Sequence, residues 1–120
     1  MIVAVNVVGD SVGTGLGKAK TMAVAQVEDG QIESWQTFDV GWDVLHDQVD
    51  EAGHGAHHAR IVKFMKDNAV EAVVSGHVGP PMIHTLDLMG LAVIVNAAGD
   101  ARQAVIDSVA LLRDLSDDAS

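Results

Sequence analysis

The chain has 120 residues, the size of one domain. Hydrophobic residues make up 48% and aromatics only 3%, so Val, Ala, Leu, Ile and Met must fill the core. Seven Lys and Arg against 17 Asp and Glu leave a net charge of -10, which argues against nucleic acid and anionic membranes as partners. The lack of cysteine excludes disulfides, thiolate zinc sites and cysteine-ligated iron–sulfur clusters.

Ile2 to Val8 is a β-branched apolar run ended by Gly9-Asp10, the mark of a buried central strand. No basic segment precedes it and no apolar run approaches the ~20 residues of a membrane span, so a cytoplasmic protein is expected. Gly9, Gly13, Gly15 and Gly17 then punctuate a stretch that reads as a flexible loop rich in backbone N–H groups. Thr21 to Glu28 and Gln31 to Phe38 read as strands joined by Asp29-Gly30, a strong hairpin signal because both residues tolerate positive φ. Asp39 to Gly55 is polar, acidic and histidine-bearing, and reads as a loop.

Ala56 to Asn68 has helical periodicity, with Ile61, Val62, Phe64 and Met65 apolar and Arg60, Lys63, Lys66 and Asp67 outside. Val70 to Ser75 reads as a buried strand. Gly79-Pro80-Pro81 opens a helix to about Met89, since proline is tolerated in a first turn, and Gly90 closes it. Leu91 to Val95 is the last strand. Asp100 is a good N-cap for a helix over 101–115, followed by an acidic tail, 116–120, expected to fray. The pattern predicts a single α/β domain over 1–115. Its sheet would be mixed and five-stranded, in the order 3-2-1-4-5, with three helices, a ribonuclease-H-like arrangement.

Four of the six histidines, His46, His54, His57 and His58, fall within thirteen positions. His77 sits in the turn Ser75-Gly76-His77-Val78-Gly79. Neutral imidazole is the commonest protein metal ligand. His54 lies three and four residues before His57 and His58, spacings that share a helix face. His57 and His58 are adjacent, so at most one joins His54 on a helix. His46 reads as a solvated loop residue and His84 as a surface or packing residue. In open α/β sheets ligands bind beyond the carboxyl ends of parallel strands. That rule brings the glycine loop, the first helix start and the turn after the fourth strand together, and makes His54, His57, His58 and His77 candidate metal ligands.

The loop meets neither the Walker A pattern nor the Gly-x-Gly-x-x-Gly fingerprint. Its N–H groups with Lys18 and Lys20 suit an anion. A ribonuclease-H-type nuclease needs carboxylates at the strand ends, where this chain has Asn6. A Ser-His-Asp hydrolase lacks its Gly-x-Ser-x-Gly elbow.

The chain resembles the dinitrogenase iron–molybdenum cofactor biosynthesis family over almost its whole length. The resemblance rests on the first strand, the loop leading into Gly17-Lys18-Ala19, the hairpin Val27-Glu28-Asp29-Gly30 and Gly53-His54-Gly55. Its strongest part is Val73-Val74-Ser75-Gly76-His77-Val78-Gly79-Pro80, where the family has a strand ending in Gly-x-[Ile/Val]-Gly-Pro. The family's His-Phe-Gly-Arg-Ala is replaced here by Gly15-Leu16-Gly17-Lys18-Ala19, and Lys18 retains the positive charge.

The resemblance implies a non-enzymatic carrier of a metal or metal–sulfur cluster. Gly13, Gly15, Gly17, Lys18, Gly76 and Gly79 would face the cofactor and the four histidines would ligate. Family members are associated with nitrogenase cofactor precursors and with molybdenum–copper clusters. Without thiolates, imidazole favours Cu, Zn, Ni or Fe. A cofactor-assembly protein or a second copy of the chain is the expected partner. The alternatives are a small anion or nucleotide binder, and an assembly module whose histidines are incidental.

Overall fold

The computed structural model describes residues 1–43 and 53–118, with 53–57 and 116–118 described as backbone alone. Its centre is β1 (Ile2–Val8), whose Val3, Ala4 and Val5 are fully buried. Alternation along the strand sends Val3, Val5 and Val7 to one face and Ala4 to the other. Gly9, with φ of +61°, turns the chain back so that β2 (Ser11–Val12) pairs antiparallel with the end of β1. A 3-10 turn over Leu16–Lys18 follows.

β3 (Thr21–Glu28) lies antiparallel to β1, and β4 (Gln31–Asp39) antiparallel to β3. Asp29 and Gly30, with φ of +52° and +76°, form the turn between them, as that dipeptide requires in a tight hairpin. β4 is an edge strand with polar residues at most exposed positions, a pattern that discourages edge pairing.

α1 (Gly53–Asp67) leads to β5 (Ala72–Val74), which runs parallel to β1; α2 (Pro80–Leu88) leads to β6 (Ala92–Ile94), parallel to β5. α1 ends where the Asn68 side-chain amide donates to Phe64 O at 2.9 Å and Ala69 takes a φ of +52°. α2 has Pro80 and Pro81 in its first turn, where a missing N–H costs least. α3 (Ala101–Asp118) is N-capped by Asp100, whose Oδ2 accepts from Gln103 N at 2.9 Å. Its helical backbone continues through Asp118, past the expected end at Leu115.

The sheet order is β4-β3-β1-β5-β6, with β2 attached to β1. Among the described residues the architecture is mixed α/β with three helices and six strands. The sixth strand, β2, comes from the stretch read as a flexible loop. Val12 N donates to Gly99 O and Ala101 N to Asp10 O, both at 2.8 Å, so this segment also anchors the start of α3.

Two cores result. On one face Val3, Val5, Val7, Ala23, Ala25 and Ala72 pack against Ala101 and Val105 of α3. On the other, Ala4, Met22 and Val73 pack with Ile61 and Met65 of α1 and Met82 and Leu86 of α2. Phe64 meets Phe38 and Trp42 edge-on, each with ring centroids 5.5 Å apart. Arg102 lies 4.5 Å over the Trp35 ring and ties α3 to the edge strand.

Two leucines on α2 give a test. Leu86 is 0% exposed and Leu88 is 74% exposed. Leu86→Ala is expected to cost about 2–5 kcal/mol, and Leu88→Ala to stay within about 0.5 kcal/mol. Chemical denaturation of the two variants checks this. Equal losses would mean that α2 does not pack as described.

Candidate functional site

β1, β5 and β6 run in the same direction, so their carboxyl ends open on one side of the sheet. The glycine segment and the turn after β5 meet there, and backbone hydrogen bonds lock them together. Gly76 N donates to Gly13 O at 3.0 Å, Leu16 N to His77 O at 2.9 Å, and Gly13 N to Asn6 O at 2.8 Å. The β6 end joins them, with Ser75 N on Ile94 O and Asn96 N on Gly76 O, both at 3.0 Å.

Beneath this junction lies a polar pair in otherwise apolar strand ends. Asn6 is 2% exposed and Ser75 is 0% exposed. The Asn6 amide donates to Gly15 O at 2.8 Å and reaches Ser75 Oγ at 3.5 Å, and Ser75 Oγ donates to His77 O at 3.2 Å. A buried amide without partners would cost about 1–3 kcal/mol. Asn6 instead uses its donor to hold the loop over the sheet. In the sequence it registers only as a polar residue inside a β-branched run, and its role as a clamp could not be read there.

Two of the glycines are explained by this contact. A Cβ on Gly76 would stand 2.9 Å from Gly13 O and 3.0 Å from Thr14 Cα. A Cβ on Gly13 would stand 2.5 Å from Asn6 Oδ1. Both were candidate cofactor contacts. Neither lines the cavity; they let two backbones approach beneath it.

Above the junction is a cavity of about 460 Å³, walled by Gly15, Gly17 and Lys18 of the loop, His77 and Gly79 of the turn, and His58 of α1. Leu16, Ile61 and Met82, all buried, form its apolar floor. His77 and Lys18 are exposed and His58 is half-buried, so the polar groups stand at the mouth. Among the described residues no Asp or Glu lines it. The hydrogen bonds above leave the N–H groups of Thr14, Gly15, Val78 and Gly79 unused. Pro80 and Pro81 carry no N–H, so α2 contributes few donors of its own.

The histidines are therefore placed as follows. His58 and His77 line the same cavity. His54 and His57 lie on the backbone of α1, which starts earlier than the expected Ala56, and their side chains lie outside the described residues. His46 lies outside the described residues altogether. His84 faces a separate groove between α2 and β6. Lys18 lines the cavity; Lys20 does not. Among the described residues no three His, Cys, Asp or Glu side chains gather as a metal site. Leu16, Ile61 and Met82 are not marked as cavity residues by the sequence, where an apolar side chain reads equally as core.

The sequence model of the dinitrogenase iron–molybdenum cofactor family matches residues 1–110, and the chain belongs to that family. No curated protein is a significant match. Solved structures share the fold at low identity. PH0822 is 17% identical with a TM-score of 0.69, covering 91% of this chain and 89% of that one. The apo orange protein of Desulfovibrio gigas is 20% identical with a TM-score of 0.64, covering 87% and 82%. The candidate dinitrogenase mj0327 of Methanocaldococcus jannaschii is 16% identical with a TM-score of 0.60, covering 88% and 84%. No helix among the described residues is long and apolar enough to cross a membrane.

The glycines supply the test of this geometry. Gly76→Ala sets a methyl against backbone atoms that cannot swing aside and is expected to cost about 1–3 kcal/mol. At Gly15 a Cβ meets nothing within 4 Å and φ is -145°, so Gly15→Ala should stay within about 0.5 kcal/mol. Thermal and denaturant unfolding of the pair distinguishes a close-approach glycine from a permissive one. A neutral Gly76→Ala would disprove the tight junction.

Proposed function

We propose that the protein binds a metal or metal–sulfur cluster as cargo in the cavity between the glycine segment, the 75–79 turn and α1, and carries it without chemical turnover. The observation that supports this most is that His58 and His77, from distant parts of the chain, line one cavity, with no Asp or Glu among its described lining residues, in a member of the iron–molybdenum cofactor family. A preassembled cluster brings its own sulfides, so it needs few bonds from protein. Two imidazoles at the mouth can take open metal positions, while Lys18 and the unused loop N–H groups offset the negative charge of sulfide ligands. The apolar floor of Leu16, Ile61 and Met82 excludes water from the buried side of such a cargo.

In this reading His54, four residues before His58 on the same helix, is a further ligand, while His57, adjacent to His58, cannot share that face of the helix. Iron, molybdenum with copper, zinc and nickel all fit imidazole donors in a chain without cysteine. A ribonuclease-H-like description suits a mixed sheet with β1 at its centre. The nuclease chemistry of such folds does not follow, since β1 offers Asn6, already committed to Gly15 O, where a carboxylate would be needed. A cofactor-assembly protein would receive the cargo in the cytoplasm, with the carrier acting alone or as a homodimer. Nucleotide binding is less well supported, because the two prolines remove the N–H donors that a phosphate would seek at the start of α2.

Elemental mass spectrometry on untagged protein tests the reading. Wild type and His58→Ala/His77→Ala are compared after anaerobic exposure to the metal salts with sulfide, before and after chelator. Stoichiometric metal in the wild type and its loss from the double variant is the expected result. Equal metal in both, or none in the wild type, would defeat it.

A further inference from the structure

The two edges of the sheet are built differently. β4 is long, exposes Glu33, Gln36 and Thr37, and meets β3 through a register shift after Gln26. Charge, polarity and irregularity of this kind discourage a further strand. β6 is short, and that is its only such defence. From Leu91 to Val95 the edge reads Leu-Ala-Val-Ile-Val, without a charge, a proline or a glycine. Its groups toward β5 are used: Ala92 N donates to Glu71 O at 3.1 Å, and Ser75 N to Ile94 O and Asn96 N to Gly76 O, both at 3.0 Å. Alternation then turns the N–H and C=O groups of Val93 and Val95 outward, where no described residue meets them. Val95 is 38% exposed.

Beside this edge runs a groove of about 450 Å³ between β6 and α2, lined by Ile83, Leu91 and Val93, with His84 and Asp87 on its helical wall. It shares no lining residue with the cavity of the glycine segment. His84 and Asp87 are three apart on one helix face, so this wall complements itself under a two-fold rotation. In a chain of net charge -10, most faces of two copies repel. This one holds a single carboxylate among its described lining residues, and an imidazole to receive it. We infer that a second copy of the chain occupies this edge, pairing β6 with β6 antiparallel about a two-fold axis at Val93. Each Val93 N–H then donates to the C=O of the partner's Val93, and each Val95 N–H to the C=O of the partner's Leu91. The Leu91 N–H is not needed, since it is already held by Leu86 O at 3.0 Å. Both copies of α2 lie on the same side of the joined sheet, so the His84 imidazole of one copy faces the partner's Asp87. The inference does not depend on what the cavity carries.

Untagged full-length protein is examined by sedimentation equilibrium from micromolar to near-millimolar concentration, beside Val95→Lys, His84→Asp and His84→Asp/Asp87→His. All three positions are exposed, so the variants leave the core untouched. Wild type should pass from monomer to dimer as concentration rises. Val95→Lys sets a strongly hydrated charge on the edge and should weaken the dimer about tenfold or more. His84→Asp sets carboxylate against carboxylate and should weaken it as well. The double exchange restores acid opposite imidazole and should recover most of the wild-type affinity, a rescue that a folding defect would not give. Amide hydrogen exchange reads the edge directly: the Val93 N–H should slow as concentration rises, while the Ala92 N–H, bonded to Glu71 O, stays protected throughout. A monomer at every concentration overturns the inference and leaves the edge to a strand from another protein. A dimer that ignores Val95→Lys and leaves Val93 exchange independent of concentration is joined elsewhere, and overturns it equally.

Discussion

Everything at the carboxyl end of the sheet depends on two backbones passing at hydrogen-bond distance beneath the cavity. Gly76 N donates to Gly13 O, and neither residue has room for a side chain. The junction between the two segments is thus made of peptide groups, joined by the Asn6 amide and the Ser75 hydroxyl. Buried peptide and amide groups are costly unless paired. Here Asn6 O accepts from Gly13 N, Gly13 O from Gly76 N, Gly15 O from the Asn6 amide, and His77 O from Leu16 N and Ser75 Oγ. Once they do, Leu16 N must reach His77 O, Leu16 turns inward, and the loop becomes a wall of fixed position.

The two faces of the sheet explain why the cavity is on one side. Against α3 the sheet presents Ala23, Ala25 and Ala72 among its valines, and α3 answers with Ala101 and Val105. Small side chains let one long helix lie close. The opposite face is covered by two helices with larger anchors, Ile61 and Met65 from α1 and Met82 and Leu86 from α2. Two helices entering from different strands leave a gap where their starts diverge, beyond the ends of β1 and β5. The glycine segment borders that gap rather than filling it, because the Asn6 clamp holds it there.

The parts of the fold that local chemistry decides were legible in the sequence. Asp29-Gly30 announces a turn of positive φ, Asp100 announces a helix start, and the β-branched run 2–8 announces a strand buried on both sides. The glycine segment was not legible, because glycine serves several purposes that composition cannot separate. Gly9 takes a positive φ, Gly13 permits a close approach and Gly15 does neither. A glycine count therefore suggested a flexible loop where the structure has a two-residue strand, a 3-10 turn and a clamped wall. Asn6 attracted notice only for the carboxylate it is not. The rule for strand carboxyl ends placed the turn of His77 beside the first helix, and His77 and His58 do line one cavity.

The donor chemistry of the cavity bears on what a carrier needs. A closed site of several thiolates or carboxylates holds a metal with much of the chain's folding energy and releases it reluctantly. In the proposed carriage, neutral imidazole donors would bind without neutralising the ion, so the cargo would keep its charge and its willingness to move to stronger ligands. The cationic Lys18 on the same wall would favour cargo that arrives with its own anionic ligands and disfavour a bare dication. The acidic residues that dominate this chain are absent from the described cavity wall, where they would have created a tight, indiscriminate site for divalent ions. For carriage, weak and selective holding in a rigid frame is worth more than affinity. Rigidity here comes from the buried Asn6 and Ser75 junction, not from the metal, so such a site would be built before the cargo arrives and remain after it leaves.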